Sequence, residues 1–252
     1  MVRLQESTAY YEAKPKKDAS KIKERMIQLA QEKPRYGRPR IAWLLRKEGF
    51  LDNHKRIARI YCEERLQMHR RKGKKKRTGL RLVMSIPETP NERWSMDFVS
   101  DSFSDGRRFR TLTIVDDCTR ECLALEVDIG ISGQRVSEVL ERIAKERGFP
   151  KAIVSDNGPE FISKAMSQWA YERKVDLKFI QPGKPVQNAF IESFNGKFRM
   201  ECLDLHWFPN LSHAKEIIEK WRKEYNQERP HSSLKKQTPE QFAEKFKTVL
   251  CG

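Results

Sequence analysis

The chain has 252 residues and a mass of 29.8 kDa, with 38% hydrophobic and 34% charged residues, a composition that excludes a fibre or coiled rod and leaves room for one large or two smaller domains. No uncharged apolar run approaches the roughly 18 residues of a membrane span, and the opening MVRLQESTAYYEAKPKK has no apolar signal core, so no membrane partner and a cytoplasmic location are expected. The formal net charge of +16 is lopsided: residues 1–90 hold 25 Lys/Arg against 10 Asp/Glu and residues 91–252 hold 26 against 25, a concentrated N-terminal field that selects a polyanion such as nucleic acid.

Residues 20–32 place Ile22, Met26, Ile27 and Leu29 at helical spacing, and KPRYG then interrupts the pattern. A second helix is predicted over RPRIAWLLRKEGF, with Ile41, Leu44 and Leu45 as its stripe. Asn53 is placed to cap a third, HKRIARIYCEERL. Three short helices with a turn before the last suit a helix-turn-helix. With Ile57, Ile60 and Tyr61 turned to the core, His54, Lys55, Arg56 and Arg59 are left to face a DNA major groove. The segment QMHRRKGKKKRTGLR, residues 67–81, has eight Lys/Arg and no acid, so it reads as a linker in which Arg70, Arg71, Lys74, Lys75 and Lys76 can follow a phosphate backbone.

From about residue 92 the texture changes. ERWSMDFVSD, RTLTIVDD and CLALEVD are β-rich runs separated by turns and predict an antiparallel meander. Helix, strand, helix and strand follow in SGQRVSEVLERIAKERG, KAIVSD, SKAMSQWAYERK and DLKFIQP, so an α/β fold with a mixed sheet and flanking helices is expected. After the loop PGKPVQ, NAFIESFNGKFRMECL resumes helical spacing with Ala189, Phe190, Phe194 and Phe198, and a last helix, HAKEIIEKWRKEYNQE, stops at Pro230. The five cysteines, Cys62, Cys118, Cys122, Cys202 and Cys251, are odd in number and never spaced as CxxC, which predicts reduced packing thiols, and no structural zinc is expected.

Three acids stand out. Asp97 lies within an otherwise apolar strand, where a charge is costly unless paired. Asp156 closes the fourth strand before the turn Asn157-Gly158, the end of a strand where α/β proteins place their chemistry. Glu192 follows on a helix. If the first and fourth strands are neighbours, both aspartates share one end of the sheet, and three hard oxygen donors can hold Mg²⁺ or Mn²⁺. Two such ions about 4 Å apart suit displacement at a phosphodiester, one activating the nucleophile and one stabilising the leaving oxygen. Asp116, Asp117 and Glu160 compete on spacing, but they sit in turns without a helix partner.

The motifs W-S-M-D-F around Asp97, V-S-D-N-G-P-E-F around Asp156 and N-A-F-I-E-S-F-N-G-K-F-R around Glu192 resemble the DDE transposase and retroviral integrase superfamily, above all the bacterial insertion-sequence transposases whose catalytic part is encoded in the second of two overlapping frames. RYGRPRIAWLLRKEGFLDNHKRIARIYCEERLQM resembles the helix-turn-helix of that group, and WRKEYNQERPHSSLKKQTPEQF its C-terminal signature. The resemblance implies a ribonuclease-H-like core binding two divalent ions through Asp97, Asp156 and Glu192, nicking at the element's ends that frees a 3′-hydroxyl, and attack of that hydroxyl on another phosphodiester. It also implies a basic residue seven positions after the glutamate, here Arg199, facing DNA phosphate. Asn195, one helical turn from Glu192, is a candidate polar DNA contact. Tyr225, Asn226, Arg229 and Pro230 match the family ending and are read as packing. Double-stranded DNA of the element ends and of the target is the expected partner, with at least a homodimer on paired ends and a fusion with, or partner from, an upstream reading frame.

The expected organisation is a helical DNA-binding region over 1–66, a basic linker over 67–89 and a ribonuclease-H-like catalytic domain over 90–252. A DNA-binding regulator with a silent core and a plain nuclease on hybrids or branched DNA share parts of this pattern; the intact acidic trio opposes the first and the helix-turn-helix opposes the second. The charge split carries its own test. Residues 1–90 alone are expected to bind duplex DNA with a steep loss of affinity as salt rises from about 50 to 200 mM in a titration, and binding carried instead by 91–252 would contradict it.

Overall fold

The computed structural model describes residues 19–68, 86–180 and 188–250, the side chains of the last four excepted. Described residues up to 68 belong to one compact unit and those from 86 onward to a second.

The first unit is three helices, α1 (Ser20–Glu32), α2 (Arg38–Lys47) and α3 (His54–Glu63). Their boundaries follow from local chemistry. Pro39, just inside α2, cannot continue a preceding helix but fits a first turn. Gly49, at φ +94°, ends α2, where Phe50 N–H reaches Leu45 O and Gly49 N–H reaches Arg46 O, closing the helix with a left-handed residue. Asn53 caps α3 by accepting from Lys55 N–H at 3.0 Å. The expected stripes meet in one core: Met26 and Leu29 of α1, Ile41 and Leu45 of α2, and Ile57 and Ile60 of α3 are buried together, with Leu44 packed at its edge.

The second unit is built on a five-stranded mixed sheet of β1 (Arg93–Ser102), β2 (Arg108–Asp116), β3 (Cys122–Asp128), β4 (Ala152–Ser155) and β5 (Asp176–Phe179), in the order β3-β2-β1-β4-β5. β1, β2 and β3 form the expected antiparallel meander, whereas β4 pairs parallel with β1, and β5 parallel with β4. Asp116, expected in a turn, is the last residue of β2.

Side-chain alternation divides the sheet into two cored faces. Trp94, Met96, Leu112 and Ile114 point to one, covered by α4 (Gly133–Arg147) and α5 (Lys164–Arg173). Val99, Phe109 and Val115 point to the other, covered by α6 (Ala189–Glu201) and α7 (Leu211–Gln227). By the same alternation Asp97 belongs to the α6 face.

Two expectations are corrected here. The stripe of α6 is not Ala189, Phe190, Phe194 and Phe198 but Ile191, Phe194 and Phe198; Ala189 is exposed and Phe190 is only partly covered. Spacing of three and four from Phe194 and Phe198 selects Ile191, and position 190 falls on the adjacent flank. Nor does the chain's last helix stop at Pro230, since α8 (Pro239–Leu250) follows. Its start is a reciprocal capping box: Gln241 N–H donates to Thr238 Oγ1 at 3.3 Å, and Thr238 N–H to Gln241 Oε1 at 3.1 Å.

Gly133, first residue of α4, sits where the helix meets the 160–163 turn. A β-carbon there would lie 2.0 Å from Ser163 Oγ and 2.6 Å from the Glu160 carbonyl oxygen. Gly133→Ala is therefore expected to cost about 1–3 kcal/mol through overpacking, read as a lower thermal midpoint; an unchanged midpoint would show that the turn yields freely.

Candidate active site

The sheet brings the two aspartates together through strand register. β1 and β4 pair as Arg93↔Ala152, Trp94↔Ile153 and Ser95↔Val154, so two further steps set Asp97 level with Asp156, the first residue past β4. Asp156 is held by its own turn, its Oδ1 accepting from Gly158 N–H at 2.9 Å, and Asn157 Nδ2 donates to Ile180 O at 3.2 Å. A β-carbon on Gly158 would come within 3.0 Å of that Oδ1, so a glycine leaves the carboxylate room.

Glu192 arrives from the third direction. α6 lies on the sheet through Ile191, Phe194 and Phe198, which turns the row Glu192, Asn195 and Arg199 along its flank. Asn195 Nδ2 donates to Asp97 Oδ2 at 2.8 Å, and one turn later Arg199 Nη2 donates to Ser100 O at 3.0 Å. Helix and central strand are thus stitched together in the same sense, and Glu192 projects into solvent one turn before Asn195.

Asp97 feels both of the other carboxylates. Burial pushes the Asp97 carboxyl above the ordinary aspartate range, and the charges of Asp156 and Glu192 push the same way, against hydrogen bonds from Phe98 N–H and Asn195. Among the described residues no basic side chain forms an ion pair with any of the three, although neighbouring acids are so matched. They do not converge into a closed cage: among the described residues no group of three His, Cys, Asp or Glu forms a ready-made metal centre. As a donor set, three oxygen anions with no counter-cation fit a hard divalent ion.

The competing acids serve the fold instead. Asp117 is buried and pairs with Arg93 Nε at 2.5 Å while accepting from Ser95 Oγ at 2.9 Å. Asp116 accepts from the backbone N–H groups of Asn91, Cys118 and Thr119. Glu160 pairs with Arg110, whose guanidinium lies 4.0 Å over the Phe98 ring, and Phe98 stacks on Phe161 at 5.0 Å. That layered contact ties the Asp156 loop to the residue beside Asp97. Sequence reasoning missed it, because partners 50 positions apart leave no local signal.

In the helical unit, His54, Lys55 and Arg59 are exposed on α3, Arg59 within 3.5 Å of Glu63. Arg56 is less free, bound to Asp52 Oδ1 at 2.8 Å with 19% of its side chain exposed. Arg70, Arg71, Lys74, Lys75 and Lys76 lie outside the described residues. Cys118, Cys122 and Cys202 are buried, and Cys62 is exposed on α3. No helix among the described residues is long and apolar enough to cross a membrane.

Comparison with known proteins bears on the family and the fold. Models of the integrase core domain match residues 87–185 and 173–239, and a model of an HTH-like domain matches residues 17–75. The insertion element IS407 uncharacterized 31.7 kDa protein of Burkholderia multivorans is 49% identical over 252 residues, covering 99% of this chain and 90% of its own length. Transposase InsD for insertion element IS2 of Escherichia coli is 28% identical over 229 residues, covering 84% of this chain and 74% of its own. Among solved structures, a chain of the simian T-cell lymphotropic virus intasome in complex with PP2A regulatory subunit B56 gamma superimposes with a TM-score of 0.57 at 15% identity, over 86% of this chain and 74% of that one. That likeness fixes the fold as ribonuclease-H-like.

The C-terminal signature packs, and what it packs is α6. Arg229 Nε and Nη2 each donate to Glu201 at 2.7 Å, a buried two-pronged pair on the last residue of the helix. Tyr225 meets Phe194 edge-on at 5.0 Å, and Asn226 bonds both the N–H and the carbonyl of Cys122. Arg229→Met takes the guanidinium away from the buried Glu201 carboxylate and is expected to cost about 3 kcal/mol, whereas the double change with Glu201→Leu recovers most of it. Urea unfolding of the single and double variants checks this; equal losses in both would show that the pair is not the source.

Proposed function

The chain belongs to the insertion-sequence transposases that carry the integrase core domain, proteins of DNA transposition and integration, and from that membership we propose that Asp97, Asp156 and Glu192 carry the chemistry. The observation that supports this most directly is the strand pairing that sets Asp97 level with Asp156, with Asn195 of α6, one turn from Glu192, bonded to Asp97.

The proposed reaction is divalent-metal-dependent. Two ions, Mg²⁺ or Mn²⁺, held by the three carboxylates would supply Lewis-acid activation and neutralise charge at the phosphodiester. Asp97, which feels both neighbours, would hold the ions together with Asp156 and Glu192. Hydrolysis at an element end breaks one P–O bond to leave a free 3′-hydroxyl. That hydroxyl then attacks a target phosphodiester and expels the target's 3′-oxygen, so no covalent bond to the protein forms. Arg199, whose guanidinium keeps donors to spare beyond Ser100 O, is assigned to DNA phosphate beside the acids. Asn195 spends its amide N–H on Asp97, so its first role is to orient that carboxylate, with any DNA contact left to its other atoms.

We assign end recognition to residues 1–66, with His54, Lys55, Arg56 and Arg59 at the DNA and Arg56 oriented by Asp52. In this division 67–89 is a basic linker that follows phosphate through Arg70, Arg71, Lys74, Lys75 and Lys76, and 90–252 is the catalytic domain. Paired ends call for a homo-oligomer on DNA. A partner or fusion from an upstream frame and a cytoplasmic location complete the proposal.

Glu192→Gln is expected to cut Mn²⁺-supported nicking of labelled terminal repeats by at least about a hundredfold while leaving binding to the same duplex intact. A Gln variant that nicks at the wild-type rate would remove Glu192 from the set.

A further inference from the structure

α6 begins badly for a helix that must present a catalytic side chain. Asn188, its N-cap residue, makes no side-chain capping bond, and its Oδ1 is buried with no hydrogen-bond partner. An uncapped first turn frays, because its N–H groups have no partner within the helix. Glu192 lies in that first turn. Asn195 and Arg199 fasten the helix only from the second turn on.

Ile191 seats one side of the first turn in the core, and on its flank Phe190 has two guanidinium groups against its ring. Arg120 Cζ is 3.9 Å from the Phe190 ring centroid and Arg93 Cζ is 5.5 Å from it. Both distances are within the range of cation–π attraction. Arg93 is itself locked: it is buried, paired to Asp117, which also holds Ser95. Ser95 precedes Asp97 by two residues on the same face of β1, so this post stands on the strand that carries the first acid.

Arg120 has a second peculiarity. It sits at φ +63° in the β2–β3 hairpin, a left-handed conformation that favours Gly or Asn and penalises a long side chain. Asp116 organises that turn through its own Oδ1 contacts to Cys118 N–H and Thr119 N–H, and the backbone needs nothing from the Arg120 side chain. An arginine at a strained hairpin tip, with its cation 3.9 Å from the centre of the aromatic ring two residues before Glu192, has its use at the ring.

We propose that Phe190 and Arg120, backed by the Arg93–Asp117 pair, are positioning residues: they clamp the uncapped first turn of α6 and so hold Glu192 beside Asp97. The importance of that placement for catalysis rests on the function proposed above; the clamp itself does not. Three variants of the full chain test it. In Phe190→Leu the volume stays apolar but the ring's negative face is lost. In Arg120→Asn the cation is lost while the left-handed backbone is relieved. In Phe190→Tyr the aromatic face is kept.

Hydrogen–deuterium exchange over residues 188–194 is expected to run about five- to tenfold faster in the Leu and Asn variants and at the wild-type rate in the Tyr variant. The thermal midpoint of Arg120→Asn is expected not to fall below that of the wild type, an outcome that a general loss of stability would not give. Exchange at the wild-type rate in Arg120→Asn, or Tyr as fast as Leu, overturns the clamp. If Phe190→Leu fails to fold, Arg120→Asn carries the test alone. Nicking of terminal repeats, scored alongside, separates the two proposals. A wild-type chain that never nicks, with exchange as expected, refutes the catalytic reading and leaves the clamp standing.

Discussion

The seating of one helix on one face of the sheet decides everything about the site. α6 is fixed by Ile191, Phe194 and Phe198 against Val99, Phe109 and Val115, with Trp221 and Tyr225 of α7 behind them. Successive helix residues are about 100° apart, so a rotation by a single position would swing Glu192 away from Asp97 and bury a charge instead. Hydrophobic burial sets the rotation but is indifferent to sliding along the axis. The polar contacts supply what it lacks: Asn195 to Asp97, Arg199 to Ser100 and Arg229 to Glu201 each fix a position along the helix.

The acids of this unit divide into two populations. Asp116, Asp117, Glu160 and Glu201 are matched by arginines or backbone N–H groups and serve as fasteners. Among the described residues Asp97, Asp156 and Glu192 form no ion pair, and burial, with the charges of Asp156 and Glu192, raises the Asp97 carboxyl. Like charges gathered without compensation lower stability, and a fold tolerates that arrangement where something else uses the charge. The matched acids lie within a few residues of the unmatched ones, Asp117 bonded to Ser95 and Glu160 four positions after Asp156. Rigid neighbours hold the unmatched trio in place at little cost to the charge it presents.

Much of this was legible along the chain. β3 was read with its observed limits, the three helices of the first unit fell where their stripes and caps placed them, and the parallel pairing of β1 with β4 was the condition that joined Asp97 to Asp156. Asp97, Asp156 and Glu192 stand out through their motifs, and strand pairing sets the first two level. α8 was equally legible, since Thr-Pro-Glu-Gln is a capping box, but Pro230 drew the eye as a stop. Ile191 is hidden by its neighbour: in a run reading Ala-Phe-Ile, the aromatic residue looks like the core one, but helical spacing puts it on the flank, where two arginines lie against its ring. Contacts such as Arg93 with Asp117 and Arg110 with Glu160 were beyond reach, because pairing between charges 24 and 50 residues apart follows from strand order alone.

The charge distribution completes the picture. With 25 basic against 10 acidic residues in 1–90 and near balance afterward, attraction to phosphate is concentrated in the part that includes the helix-turn-helix. A catalytic unit with a strong field of its own would bind any duplex and present its acids to random sequence. Near balance of charge over 91–252 avoids that. Arg56 fits this economy of charge: tied to Asp52, its guanidinium is already oriented on α3, which favours directional contact over diffuse attraction. Selectivity for where the cutting happens is thus built from the placement of positive charge as much as from the placement of the acids.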